Sequence, residues 1–185
     1  MSNGTQSEPE QPLVLVVMGV SGSGKTTVAK ILAKRLGWAY EEGDSLHPRA
    51  NVEKMASGHP LDDADRAPWL ELIADWIDGC LDRGKSGVVT CSALKRAYRD
   101  VLDRRGSGVV FVYLEGSKEL IADRLSSREG HFMPPGLLDS QFADLQVPGD
   151  DEPAVHVNIT PLPPVIAQNA IDKLGLNDVA AARTQ

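Results

Sequence analysis

The chain has 185 residues, 42% hydrophobic and 24% charged, with 19 Lys and Arg against 26 Asp and Glu for a formal charge of −7. That composition is globular, the length suits one domain, and the acidic balance excludes a general nucleic-acid binder, which needs a basic face. No apolar run approaches the about 20 residues of a membrane helix. Its two cysteines, Cys80 and Cys91, cannot build a disulfide framework or a Cys-x-x-Cys zinc site, so a reducing, cytoplasmic setting is expected.

Met1 to Gln11 is polar, lacks the basic start and apolar stretch of a signal peptide, and reads as a disordered leader. Leu13 to Met18 is a continuous apolar run stopped by Gly19, the pattern of a central parallel strand buried on both faces. Val28, Ile31, Leu32 and Leu36 then recur at helical spacing, with Gly37 as the stop signal. Trp38 to Glu41 is a weaker second strand ending at Gly43-Asp44. From Asp65 to Gly84, the residues Trp69, Leu72, Ile73, Trp76, Ile77 and Cys80 make one helical stripe, with Pro68 in its first turn. Val88–Cys91 and Val109–Leu114 read as strands joined by a helix over Ala93–Arg104. A helix over Lys118–Arg128, a fifth strand over Ala154–Ile159 and a helix over Pro164–Leu174 follow, and Asn177–Gln185 reads as a flexible tail. Residues 12–176 are thus expected to form a single domain. Alternating strands and helices predict an α/β fold, a parallel sheet with helices on both faces.

Gly19, Val20, Ser21, Gly22, Ser23, Gly24, Lys25 and Thr26 match G-x-x-x-x-G-K-[ST] at every fixed position, between a buried strand and an amphipathic helix. Glycines let backbone N–H groups converge on phosphate oxygens, and the helix start adds its dipole. Lys25 reaches toward the β- and γ-phosphates, and the Thr26 hydroxyl suits Mg²⁺. Thr27 completes the candidate nucleotide contacts. This is a nucleoside triphosphate site, and ATP with Mg²⁺ is the expected pair. No Asn is followed by Lys, so the guanine-reading Asn-Lys-x-Asp is absent, and the strand Val88–Cys91 ends in Ser92-Ala93 rather than an acid. A GTPase and a large ATPase motor are therefore excluded, and small-molecule phosphoryl transfer remains.

Asp44 follows the second strand, at the sheet edge where ligands bind. An acid there can take the proton of an acceptor hydroxyl or hold it in line, although a turn aspartate is the alternative. His47 is a hydrogen-bonding candidate. Arg49, Lys54 and Arg66 follow, and by residue type alone they also read as a solvated helix face paired with Glu53 or Asp62–Asp65. Lys95, Arg96 and Arg99 open the helix after the third strand, near the same crevice. Cys91 reads as a buried small hydrophobe rather than a nucleophile.

The ordered blocks Gly-Asp-Ser-Leu-His-Pro (43–48), Asn-Val-Glu-Lys-Met (51–55), Cys-Ser-Ala-Leu-Lys (91–95), Tyr-Arg-Asp (98–100) and Gly-His-Phe (130–132), together with the phosphate loop, resemble the small gluconokinases of the shikimate-kinase-like P-loop group over about residues 13 to 175. The resemblance implies ATP-dependent phosphorylation of D-gluconate at its 6-hydroxyl, with Mg²⁺, on a three-layer fold whose five parallel strands run in the order 2-3-1-4-5. It implies that Lys25, Asp44 and Arg128 are catalytic, with Asp44 on the acceptor hydroxyl and Arg128 on the transferred phosphoryl group. Arg124 would lie near the adenine, held by the loop Val147–Glu152, and a mobile lid would span about residues 124–138. His47, Arg49, Lys54, Arg66, Lys95 and Arg99 would contact the substrate, while Mg²⁺ would rest on Thr26, with Asp44 as a further candidate ligand. His131 and Phe132 receive no role, and the resemblance leaves a homodimer open.

Two features depart from shikimate kinases: there is no Gly-Gly pair, and Asp44 lacks an Asp-x-Asp neighbour. The rivals are the same transfer to shikimate, a nucleoside monophosphate or another sugar acid, and a regulatory nucleotide-binding module. A pure binding module would need neither Asp44 nor the two lid arginines.

Overall fold

A computed structural model describes residues 11–128 and 135–184. Its strands are β1 (Val14–Met18), β2 (Ala39–Glu41), β3 (Gly87–Thr90), β4 (Val109–Glu115) and β5 (Ala154–Asn158). The helices are α1 (Lys25–Leu36), α2 (Arg49–Ala56), α3 (Asp63–Asp82), α4 (Arg96–Leu102), α5 (Lys118–Ser126), α6 (Pro135–Asp144), α7 (Pro163–Leu174) and α8 (Asn177–Ala181). All strand pairings are parallel and the order is β2-β3-β1-β4-β5, as the resemblance implied.

The period of two along β1 divides the core between the faces of the sheet. Leu15 and Val17 pack with Val28, Leu32 and Leu36 of α1 and Ile166 and Ala170 of α7. Val14, Val16 and Met18 pack on the other face with Trp69, Ile73 and Ile77 of α3 and Tyr98 and Leu102 of α4. All five β1 residues are fully buried, so the strand's C-terminal end is a rigid platform for the loop that follows.

The differences from expectation have physical causes. Asp62 and Asp65 form a reciprocal capping box that starts α3 at Asp63, so Pro68 lies inside the helix rather than in its first turn. Leu70 and Ala74 complete the buried stripe of α3, whereas Leu72 is exposed. Helix α2 gave no periodic signal because its apolar residues Val52 and Met55 are exposed and it buries only Asn51. The segment 177–181, expected to be a flexible tail, is helical, and Val179 joins the core beside α1 and α7. The residues assigned to a lid divide: 124–126 end α5, 135–138 open α6, and 129–134, with His131 and Phe132, lie outside the described residues.

Arg99, expected at the substrate, lies instead in the protein interior and does not line the cavity beside the phosphate loop. Its guanidinium is buried against Glu152, with Nε 2.6 Å from Oε1 and Nη2 3.1 Å from Oε2. Its Nη1 donates to the carbonyls of Ala93 at 2.9 Å and Leu94 at 3.2 Å. These bonds hold a bend where Ala93 takes a left-handed φ of 47°, which is why α4 begins at Arg96 rather than Ala93. Hydrogen bonds from Arg99 outweigh burial and keep the Glu152 pKa below the ordinary glutamate range. Removing the arginine strands a buried carboxylate, so Arg99→Met lowers unfolding free energy by about 3–5 kcal/mol in urea titrations, and a loss below about 1 kcal/mol would contradict this role.

Candidate active site

The phosphate loop spans the end of β1 and the start of α1. Gly24, at φ 92°, turns the chain into the helix in a left-handed conformation, and no side chain caps the helix start. The first amides of α1 therefore point outward without intrahelical partners, as an anion site requires. The Ser23 hydroxyl is buried with no hydrogen-bond partner among the described residues. Lys25 Nζ folds back onto the carbonyls of Gly19 and Val20 at 3.1 Å each. Burial lowers its pKa and Arg128 adds to the effect, while Asp44, Cys91 and Glu42 oppose it. A polyphosphate at the loop opposes this shift, since an anion beside an ammonium raises its pKa.

The structure adds a residue that the sequence analysis passed over. Glu42 Oε2 accepts from the Thr26 hydroxyl at 2.9 Å and also from the Tyr40 hydroxyl, while Oε1 accepts from Thr90 at 2.6 Å. Burial disfavours the Glu42 carboxylate, but bonds from Thr90, Tyr40 and Thr26 and the charge of Lys25 outweigh it and lower its pKa. The signal was present: Glu42-Gly43-Asp44 is an acid-x-acid pair with glutamate in the first place. Hard oxygen donors from Thr26 and Glu42 suit Mg²⁺, which takes few protein ligands and keeps substrate phosphates and waters as the rest. Among the described residues, no group of three or more His, Cys, Asp or Glu is placed to hold a metal by itself.

A cavity of about 370 Å³ opens beside the loop and brings Lys25, Asp44, His47 and Arg66 together with Ser21. Asp44 sits in a 3₁₀ turn (Gly43–Leu46) directly after β2. His47 stacks on Trp69 with ring centroids 4.1 Å apart, and its Nδ1 lies 3.3 Å from the amide nitrogen of buried Asn51. Burial and Arg66 lower the His47 pKa against the pull of Asp44, so the ring is a neutral hydrogen-bonding group at pH 7. Arg66 donates to the Tyr98 hydroxyl at 2.9 Å and, more weakly, to Asp144 at 3.4 Å. Trp69, Ser92, Ser140 and Gln141 also line the cavity, and none was anticipated as a site residue. Leu137, Ser140 and Gln141 reach it from α6, whose first residues, 135–138, the sequence analysis read as lid.

The remaining candidates stand elsewhere. The Arg49 side chain is 92% exposed and pairs with Glu53 one turn on, outside the cavity lining. Lys54 is held by Asp65 at 2.5 Å, and Lys95 by Asp63 at 3.0 Å. Those pairs satisfy the two ammonium groups on α3, which is why the cations do not turn into the cavity. Arg124 donates to the Ile159 carbonyl at 2.5 Å, just beyond β5, and Thr27 is exposed in the first turn of α1. Arg128 is exposed after α5, with its charge felt at Lys25. Cys91 is buried, and burial pushes its thiol up to about 12, so it is inert as a nucleophile.

The lowered Glu42 pKa makes a stability prediction with a definite sign. A carboxyl group whose folded pKa is depressed stabilises the fold above its unfolded pKa, and the contribution is lost as pH falls through the folded value. Glu42→Gln should therefore be less stable than the parent chain at neutral pH, with the gap closing as pH drops below the ordinary glutamate value of 4.5. Urea unfolding at a series of pH values measures that gap. A gap that stays constant down to about pH 3 would show that the carboxylate's ionisation does not contribute.

Residues 14–148 match the family model described as AAA domain. A gluconokinase of Gluconobacter oxydans is 56% identical over 161 residues, covering 87% of this chain and 90% of that protein. Among solved structures, a sugar kinase from Janibacter superposes with a TM-score of 0.84 at 43% identity, covering 91% of this chain and 98% of that one. A gluconokinase from Sinorhizobium meliloti superposes with a TM-score of 0.77 at 40% identity, covering 94% and 92%. With a phosphate loop, an acidic residue and an arginine facing one cavity, and with relatives of this identity over most of its length, the chain belongs to the gluconokinase family of P-loop kinases.

Proposed function

We propose that this chain transfers the γ-phosphoryl group of ATP to the 6-hydroxyl of D-gluconate, giving 6-phospho-D-gluconate and ADP. The observation that carries the reading is one cavity holding the phosphate-loop lysine Lys25, the carboxylate of Asp44 and the guanidinium of Arg66. Donor, acceptor hydroxyl and acceptor carboxylate each then meet the group that their chemistry needs.

Asp44 accepts the proton of the 6-hydroxyl as its oxygen forms the new P–O bond and the bond to the bridging oxygen of ADP breaks. Lys25 leaves the carbonyls of Gly19 and Val20 for the phosphate oxygens and neutralises charge there. Arg66 takes the carboxylate of the acceptor; its partners are the neutral Tyr98 hydroxyl and a long bond to Asp144, so a substrate carboxylate can compete for it. Neutral His47, fixed by the Trp69 stack and Asn51, is placed to hydrogen-bond an acceptor hydroxyl. Arg128 adds positive charge on the phosphate side, which its effect on Lys25 supports, and Arg124 is assigned to the nucleotide base by the family resemblance. Thr26 and Glu42 would hold Mg²⁺, which supplies charge neutralisation on the β- and γ-phosphates. Arg49, Lys54 and Lys95 are left as paired residues outside the transfer chemistry.

An assay of ADP release with Mg·ATP and D-gluconate, shikimate, AMP, other aldonates or no acceptor tests the reading. Turnover should depend on D-gluconate, and Asp44→Asn should bind ATP with near-parental affinity while kcat falls at least about a hundredfold. Preference for another acceptor would overturn the substrate assignment, and normal turnover in Asp44→Asn would overturn the role of Asp44.

A further inference from the structure

Helix α6 touches both ends of the cavity from one face. Leu137, Ser140, Gln141 and Asp144 follow one another at steps of three, one and three residues, so they share a stripe. Gln141 clasps the phosphate loop at two points: its Oε1 accepts from the Ser21 N–H at 2.7 Å, and its Nε2 donates to Ser21 Oγ at 2.9 Å. One turn on, Asp144 meets Arg66 at 3.4 Å. The chain just beyond α6 is fixed separately, since the Gln146 N–H donates to the Leu94 carbonyl at 2.8 Å and its side chain accepts from the Arg96 N–H at 2.8 Å. Leu138 and Phe142 of α6 pack into the apolar cluster that also holds Val20, and Asp139 pairs with Lys118, so Gln141 is the neutral polar contact that sets how this packed helix meets the phosphate loop.

The neutrality matters. A carboxylate at this point would repel an arriving polyphosphate, and an ammonium would compete with Lys25 for it. An amide grips the loop with a donor and an acceptor and adds no charge. Its two bonds to a single residue also fix the rotation of the side chain, and hence the approach of Ser140 and Leu137 to the cavity.

We propose that Gln141 is a positioning residue that sets the separation between the phosphate loop and the acceptor wall, and thereby keeps water from replacing the acceptor hydroxyl. The proposal rests on the reading that this cavity takes the acceptor. When the clasp is lost, a water oxygen forms the new P–O bond, the bond to the bridging oxygen of ADP breaks, the proton passes to solvent through Asp44, and inorganic phosphate leaves with ADP. Misplacement of about 1 Å is enough to cost around a hundredfold in rate.

The experiment compares the parent chain with Gln141→Ala, Ser21→Ala, the double variant and Gln141→Glu, using Mg·ATP and D-gluconate. It reads kcat, both KM values, the ratio of ADP to 6-phosphogluconate formed, and thermal unfolding. In Gln141→Ala, KM for ATP should stay within about threefold while kcat falls about 30- to 100-fold, and ADP should exceed the phosphorylated product. The double variant should be no worse than Gln141→Ala, because Gln141→Ala already removes both bonds and Ser21→Ala removes only the one to the hydroxyl. Gln141→Glu can still accept from the Ser21 N–H and hydroxyl, so its KM for ATP should rise as its charge opposes the phosphates. A kcat within about threefold of the parent with one product per ADP in Gln141→Ala, or additive losses in the double variant, would overturn the proposal. If Gln141→Ala does not fold, an unchanged KM for ATP in Gln141→Glu overturns it instead. No turnover of D-gluconate by the parent chain would sink the underlying reading of the cavity, and this proposal with it.

Discussion

Everything at the acceptor end depends on how closely Gly43 approaches β3. A Cβ at that position would lie 1.8 Å from the Thr90 carbonyl oxygen, so only glycine fits. The contact is stitched on both sides: the Gly43 N–H donates to Thr90 Oγ1 at 3.0 Å, and its carbonyl accepts from the buried Trp69 indole at 2.8 Å. The Thr90 hydroxyl donates in turn to Glu42, which also accepts from Thr26 of the phosphate loop. Trp69 also carries the stacked ring of His47. One tight backbone junction thus orients Glu42 toward the donor, and Asp44 and His47 toward the acceptor. The junction is supplied by β2, β3 and α3, which belong to a core already fixed by apolar packing.

The chain carries a net charge of −7 yet must bind two anions, ATP and gluconate. Local arrangement resolves this. Several surface cations are already satisfied by carboxylates one turn away or on the next helix, as Arg49 is by Glu53 and Lys54 by Asp65. Lys25 is held instead by backbone carbonyls, and Arg66 by a phenol and one long ionic bond. These weaker partners leave the two cations available to incoming anions, so positive charge is concentrated where it is needed without a basic surface.

The parallel sheet was legible because β1 and β4 are continuous apolar runs buried on both faces, its strand order only through the family resemblance, and the phosphate loop because its fixed positions have a geometric cause. Lys25, Asp44, His47 and Arg66 were legible as chemistry and converge in the cavity. Arg49 and Lys54 carried their alternative in the sequence, in Glu53 and Asp65, whereas the partners of Lys95 and Arg99 lie far along the chain, Glu152 being 53 residues from Arg99. Helices α2 and α6 escaped notice for a related reason. Val52, Met55 and Leu137 line the cavity rather than a core, and α6 gives the core only Leu138 and Phe142, so neither helix shows a stripe of the usual width. Glu42 was missed because its partners, Thr26 and Thr90, come together only in the folded sheet.

The most direct test of this account is Gly43→Ala assayed with Mg·ATP and D-gluconate beside direct measurement of nucleotide binding. The added methyl must push β2 away from Thr90 and turn Asp44 and His47, while the phosphate loop stays on β1 and α1. The account predicts nucleotide affinity within a few-fold of the parent and a kcat reduced by about a hundredfold or more. Parental turnover in a folded Gly43→Ala chain would show that the junction does not set the acceptor geometry.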